Sequence, residues 1–201
     1  LWEAIFQLVV LAIAGIVANT IYRRFRDRAT ARQELLNDID DFSIQLYRPR
    51  KIYQSMINNP EELLAQICTP EERETHRLQA IHQALRELVE ATGRFRTIQV
   101  VIISLYGFNM DLLSHYLAIW FYLKEVRRRM EKGESLFFDD DDEKGSDDFY
   151  RLFDAFRYRV SAAKSAPPPL VEQPPKDVLE SMHRRGAKVY ANYFGESVEK
   201  D

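Results

Sequence analysis

The N-terminal segment places the strongest constraint on the fold, because it joins a long apolar run to a cluster of arginines. Over residues 5–21 the polar positions are few and uncharged: Gln7, Asn19 and Thr20. A helix needs about 17 to 25 apolar residues to cross the hydrocarbon layer of a membrane. The run therefore predicts a transmembrane helix at the short end of that range. A buried helix of a globular domain is the alternative.

The flanks of this run predict its orientation. The aromatic residues Trp2 and Tyr22 suit the two membrane interfaces. Positive charge is retained on the cytoplasmic side, and four arginines follow the apolar run: Arg23, Arg24, Arg26 and Arg28. A cleaved secretory signal carries its charge before the apolar core instead. We therefore expect a lipid-bound, single-pass protein with its N-terminus outside and its C-terminal domain in the cytoplasm.

Composition narrows the class of the remaining chain. The 201 residues include only 7 glycines, which favours helix over sheet. The net charge of −3 gives no general attraction to nucleic acid, so we expect no DNA partner. Cys68 is the single cysteine, so no disulfide can form within the chain, in agreement with a reducing cytoplasm.

The segment after the apolar run has the spacing of a helix that packs against another helix. Its apolar residues alternate at steps of four and three, with Pro49 at one seam position: Leu35, Ile39, Phe42, Leu46, Tyr53 and Met56. Such a seam is typical of helical bundles and coiled coils. Proline removes a backbone donor, so we expect a kink at Pro49 or an end near Arg48.

Two similar helix starts follow, at Asn59-Pro60 and Thr69-Pro70. The second opens a long helix with an apolar stripe of Leu78, Ile81, Leu85, Leu88 and Phe95. The β-branched run 97–106 resembles a strand by propensity, but a lone strand has no pairing partner, so we assign it to the end of that helix. Residues 112–131, capped by Asp111 and ended by Gly133, are apolar on most sides and predict a central core helix.

The acidic run 139–143 predicts a solvated loop, because the contiguous acids of 139–148 lack the ligand spacing of a calcium loop. An amphipathic helix follows, with Phe149, Phe153 and Phe156 on one face. The pattern predicts an all-α protein of about four to six helices, with four parts: an anchor at 1–28, a helical bundle at 29–164, a proline-rich linker at 165–176 and a docking helix at 177–201.

The chain lacks the short motifs of nucleotide-binding and metal-dependent enzymes, so we expect no cofactor and no metal. One pair invites a catalytic hypothesis: Arg77 and His82 are separated by four residues. This spacing resembles that of HEPN-type helical ribonucleases. The resemblance covers one six-residue motif and implies that His82 acts as acid or base and Arg77 steadies phosphate charge. Such a site would form across a dimer, with RNA as partner.

Two metal hypotheses are weaker. Glu180 and His183 have the spacing of a bundle di-iron ligand pair, but such sites need a second copy. The histidines His76, His82 and His115 could converge on one ion, although a core histidine is the commoner role for His115.

These patterns predict assembly rather than catalysis. We expect a membrane-tethered scaffold, adaptor or effector that self-associates or binds a protein partner. Two segments supply its predicted interaction face: Leu35, Ile39, Phe42 and Leu46, with Phe149, Phe153 and Phe156. The alternatives are a membrane-anchored ribonuclease or defence-system accessory using Arg77 and His82, and a small subunit of a larger membrane complex.

Overall fold

The computed structural model describes the backbone of residues 2–65, 68–136, 142–164 and 176–195, with side chains from residue 26 onwards except residues 63 and 142–147. These ranges contain α-helices and no strand, which confirms a helical bundle for this part of the chain. In chain order the helices are α1 (Trp2–Asn58), α2 (Pro60–Leu64), α3 (Arg73–Tyr106), α4 (Met110–Lys132), α5 (Asp142–Ala162) and α6 (Lys176–Phe194).

Helices α1 and α3 pack along each other through matching seams. The buried residues of α1 recur at steps of four and three: Leu35, Ile39, Phe42, Leu46, Pro49 and Tyr53. The buried residues of α3 follow the same rule: Ala84, Leu88, Ala91, Phe95, Ile98, Ile102 and Leu105. This alternation keeps one narrow stripe of each helix facing its partner, as in a coiled coil.

Helix α4 lies at the centre of the bundle, as the sequence predicts. It buries 13 of its 23 residues and packs against α3, α5 and α6. Its N-cap is Asn109, whose side chain accepts hydrogen bonds from the backbone N–H groups of Asp111 and Leu112. The prediction that Asp111 caps α4 is therefore wrong. Gly133 ends the helix in the left-handed conformation, with φ of 70°.

Two further predictions concern helix ends. The β-branched run 97–106 lies in α3, as expected. Helix α1 continues through Pro49 to Asn58, so an end near Arg48 is wrong. Tertiary contacts hold the segment after the proline, because buried Tyr53 donates a hydrogen bond to the carbonyl oxygen of Glu134 at 2.8 Å. Packing of this kind offsets the lost backbone donor.

The predicted membrane anchor requires a correction. Among the residues whose side chains the structure describes, none of the helices combines the length and the apolar character that crossing a bilayer requires. This finding contradicts the predicted single-pass localisation with an outside N-terminus. The buried apolar side chains of the α1 seam pack against α3, whereas Ile44 of the same helix is 69% exposed. Arg26 is exposed beside Asp27 and Arg28 is half-buried, whereas Trp2, Tyr22, Arg23 and Arg24 lie outside the described side chains.

The C-terminal helix α6 packs mainly along α4 and to a smaller extent along α5. It buries Met182, Gly186, Tyr190 and Phe194. The predicted division of the chain at residues 28, 164 and 176 stays a prediction, and residue 28 falls within α1.

Candidate functional site: a basic groove between α3, α4 and α6

A groove of about 1920 Å³ opens on the surface of the described part of the chain. Helices α3 and α6 each pack against α4 but have no comparable contact with each other. The segment of α4 from Trp120 to Glu131 therefore contributes the floor of the groove. The walls come from Val89–Arg96 of α3 and Glu180–Ala191 of α6. The fold thus forms the groove from three long helices, which provide a rigid frame.

Small and apolar side chains make part of this groove smooth. Val89 of α3 is 40% exposed, and one turn later Gly93 has open space where a side chain would lie. Ala187 and Ala191 of α6 are half-buried on the other wall. Such short side chains allow a ligand's backbone to approach the walls closely.

Aromatic side chains on the floor of the groove contact residues of both walls. The Arg96 guanidinium lies over the Trp120 ring, 5.0 Å from its centroid, in a cation–π contact. Phe121 meets the ring of His183 edge-on, with centroids 5.6 Å apart. The first contact joins α3 to α4 and the second joins α4 to α6, so the two walls are tied to the floor.

The groove is rich in positive charge. Seven Arg and Lys side chains line it against three carboxylates. Two of those carboxylates are already paired: Glu131 accepts from Arg127 at 2.7 Å, and Glu125 accepts from Arg128 and Arg129. The hydrogen bond from Arg128, and then that from Arg129, lowers the pKa of Glu125 to about 2, although partial desolvation opposes the shift.

Four of the seven groove cations have no carboxylate partner among the described side chains: Arg96, which lies over the Trp120 ring, and three others. Lys124, Arg184 and Lys188 make no ion pair with any described side chain. Arg184 and Lys188 lie four residues apart on α6, so they project from one face about one turn apart. An anionic ligand in the groove would meet these charges first.

The position of α6 depends on Gly186. A Cβ atom at this residue would lie 2.7 Å from the Cβ atom of Leu117 and 3.3 Å from the Phe121 ring. The backbones of α4 and α6 therefore approach too closely for any side chain at this crossing. The glycine brings the α6 wall against the edge of the floor.

Arg77 and His82 are not brought together. The Arg77 guanidinium donates to the Met56 carbonyl oxygen at 3.0 Å and to Glu74 at 3.2 Å, so it is bound to the end of α1. His82 is exposed. Five residues on a helix correspond to a rotation of about 140°. The two side chains accordingly lie on different faces of α3.

The predicted interaction face lies within the bundle. All seven residues are buried, and Phe42 of α1 and Phe153 of α5 both stack near Phe95 of α3. They are core residues of the folded chain and do not present a surface to a partner.

The metal hypotheses gain no support from the geometry. Among the described side chains no group of three or more His, Cys, Asp or Glu could hold a metal ion. Glu180 and His183 both line the groove from α6. His76 and His82 are exposed, whereas His115 is buried in α4.

His115 predicts a pH dependence of stability. Its Nδ1 lies 2.8 Å from the carbonyl oxygen of Asp111. Burial lowers its pKa, the charge of Arg159 from α5 lowers it further, and Asp111 opposes the shift. Below the unfolded pKa of about 6.5, the unfolded chain binds a proton that the native chain excludes. The free energy of unfolding should therefore fall as the pH drops through that value.

Thermal unfolding at about pH 7.5 and at about pH 5.5, on the two sides of this pKa, tests the prediction. A His115→Gln variant removes the titrating ring, and its Tm should differ less between the two pH values than that of the parent chain. An equal difference in both proteins would show that His115 does not carry the effect.

Sequence reasoning missed the groove. Neither Arg127–Arg129 nor the small and basic residues of α6 form a recognisable short motif in the sequence. One sequence feature does point to the groove. Arg184 and Lys188 are four residues apart, as are Ala187 and Ala191, so α6 carries basic and small residues at helical spacing. Comparison with known proteins adds no assignment, because no protein-family model, no curated protein and no solved structure matches the chain.

Proposed function

We propose that the chain is an adaptor or scaffold that binds a protein partner through the groove between α3, α4 and α6. The single observation that carries this proposal is an open groove with apolar walls and unpaired cations on a rigid three-helix frame. Apolar contact area supplies affinity, and charged side chains at the rim supply specificity and association rate.

Site-specific photo-crosslinking tests the proposal in the native host. A benzoyl-phenylalanine at Thr92, on the α3 wall, should give a discrete protein adduct. The same probe at Asp154, an exposed position of α5 outside the groove, is the matched control. The adduct should disappear when Arg184 and Lys188 are both changed to glutamate. Equal adducts from both positions, or none from Thr92, would overturn the proposal.

Self-association stays a prediction beside partner binding. Light scattering of the full chain tests it directly, since a monomer has a mass of 23.7 kDa. A defined multiple of that mass would support a scaffold that acts as an oligomer. A monomer would assign the adaptor role to a different protein partner alone.

The ribonuclease hypothesis is not favoured by any contact described above. The Arg77 guanidinium is already paired with Glu74 and bonded to α1, which leaves it poorly placed to bind phosphate. Arg77→Ala and His82→Ala test it: loss of RNA cleavage with an intact fold would revive the hypothesis.

A further inference from the structure

We infer that the partner segment is an acidic amphipathic helix of about three turns, seated along α4 between α3 and α6. This inference rests on the proposed function and names the partner's chemistry. The apolar face of the ligand would lie on Val89, Gly93 and Ala187. Its carboxylates would face Lys124, Arg184 and Lys188.

The dimensions of the groove fit such a ligand. The floor runs from Trp120 to Glu131 on α4 and the α6 wall runs from Glu180 to Ala191. Eleven steps along a helix correspond to about 16 Å, or three turns. A helix of that length and about 10 Å in diameter occupies on the order of 1,300 Å³. The groove volume of about 1920 Å³ exceeds that of such a helix, whose diameter already includes its side chains.

The wall chemistry fits the apolar face of a helix. Helices pack with their axes about 8 to 10 Å apart, and the smaller distances need small side chains at the contact. Gly93 on one wall, and Ala187 and Ala191 on the other, provide such positions. Exposed Val89 adds an apolar contact that the bundle itself does not use.

The charges select an acidic ligand. The carboxylates Glu125 and Glu131 are neutralised by neighbouring arginines within α4. Lys124 on the floor, and Arg184 and Lys188 on the wall, outnumber Glu180, the third carboxylate of the groove, and therefore make the groove positive. Glutamates spaced four residues apart on a bound helix would match Arg184 and Lys188, which have the same spacing on α6.

Positive charge on α3 disfavours a second copy of this chain as the ligand. The outer stripe of α3 that continues from the groove carries His82, Arg86 and Arg96 among its apolar residues. Helical rotation of about 100° per residue places these three within about 80° of one another. Two copies joined through this stripe would bring like charges together.

RNA is a poorer match than an acidic helix. Single-stranded RNA binding relies on aromatic faces that stack on bases, and Arg96 already covers a face of Trp120.

Fluorescence anisotropy with the full chain tests the inference. The probes are three labelled ligands: a helical peptide of about 15 residues with a Leu/Ala face and glutamates elsewhere, the same peptide with lysines for glutamates, and a uridine oligonucleotide of equal length. The acidic peptide should bind about tenfold or more tightly than the lysine peptide. Its affinity should fall as salt is raised.

Matched charge reversals locate the binding. The double variant Arg184→Glu/Lys188→Glu should weaken the acidic peptide about tenfold or more. The control Lys51→Glu/Lys164→Glu makes the same change in net charge at exposed positions outside the groove and should leave binding within about twofold.

Three other outcomes would contradict the inference. Equal, groove-dependent binding of both peptides would overturn the acidic-ligand inference and leave protein binding in the groove standing. Tighter, groove-dependent binding of the oligonucleotide would overturn both. If no probe binds, the inference fails, while the crosslinking experiment at Thr92 still decides the proposed function.

Discussion

Replacing Phe95 by alanine should lower the free energy of unfolding by about 3–5 kcal/mol. The ring is fully buried and stacks on Phe42 of α1 and on Tyr116 of α4, with centroids 4.7 Å away in each case. Phe153 of α5 approaches it at 6.5 Å. Alanine would leave a cavity where four helices meet. Since domains are stable by only about 5–15 kcal/mol, this loss is a large fraction of the total.

Urea unfolding followed by circular dichroism measures the effect. Val100→Ala is the matched control, because Val100 is on the same helix and 69% exposed. Its effect should stay within about 0.5 kcal/mol. A loss below about 1 kcal/mol for Phe95→Ala would mean that α1, α3 and α4 do not share one rigid core.

The sequence predicted the helical class because binary patterning is a local property. The α1 seam could be identified in the sequence because its members are large and regularly spaced: Leu35, Ile39, Phe42 and Leu46. The α3 seam was only partly identified. Two of its members, Ala84 and Ala91, are small and give a weak apolar pattern. The predicted stripe therefore included Leu78, which is 45% exposed in the fold. In a sequence, alanines that are buried at a helix contact cannot be distinguished from alanines on the surface.

The burial of the predicted interaction face could not be derived from the sequence for a related reason. Periodicity shows that Phe149, Phe153 and Phe156 share one side of a helix, but not which element covers that side. The fold places them against α1, α3 and α4, so these three rings are buried within the bundle.

The groove could not be predicted because it depends on how α3 and α6 sit on α4. Val89–Arg96 and Glu180–Ala191 are about 90 residues apart in the chain. The charge pairing of Glu125 and Glu131 within α4 decides which cations remain for a ligand. Both features depend on the folded structure, and no local sequence pattern predicts either of them.

The second large effect should come from Gly186→Ala, paired with Gly93→Ala. In a helix interior, exchange of glycine for alanine stabilises by about 1 kcal/mol where space is open. Gly93 has no atom within 4 Å of an added Cβ, so Gly93→Ala should raise the Tm. At Gly186 the added Cβ would lie 2.7 Å from the Cβ atom of Leu117. That atom is fixed to the α4 backbone, so rotation of a side chain cannot relieve the contact.

We therefore expect Gly186→Ala to lower the free energy of unfolding by about 1–3 kcal/mol. At about 2–4 °C per kcal/mol for a chain of this size, differential scanning calorimetry resolves the loss. Displacement of α6 should also speed tryptic cleavage at Arg184, Arg185 and Lys188, and weaken the acidic peptide, because one wall of the groove moves. Changes of the same sign in both glycine variants would contradict the close approach of α6 to α4. Normal peptide affinity in a destabilised Gly186→Ala variant would instead show that α6 does not form the wall.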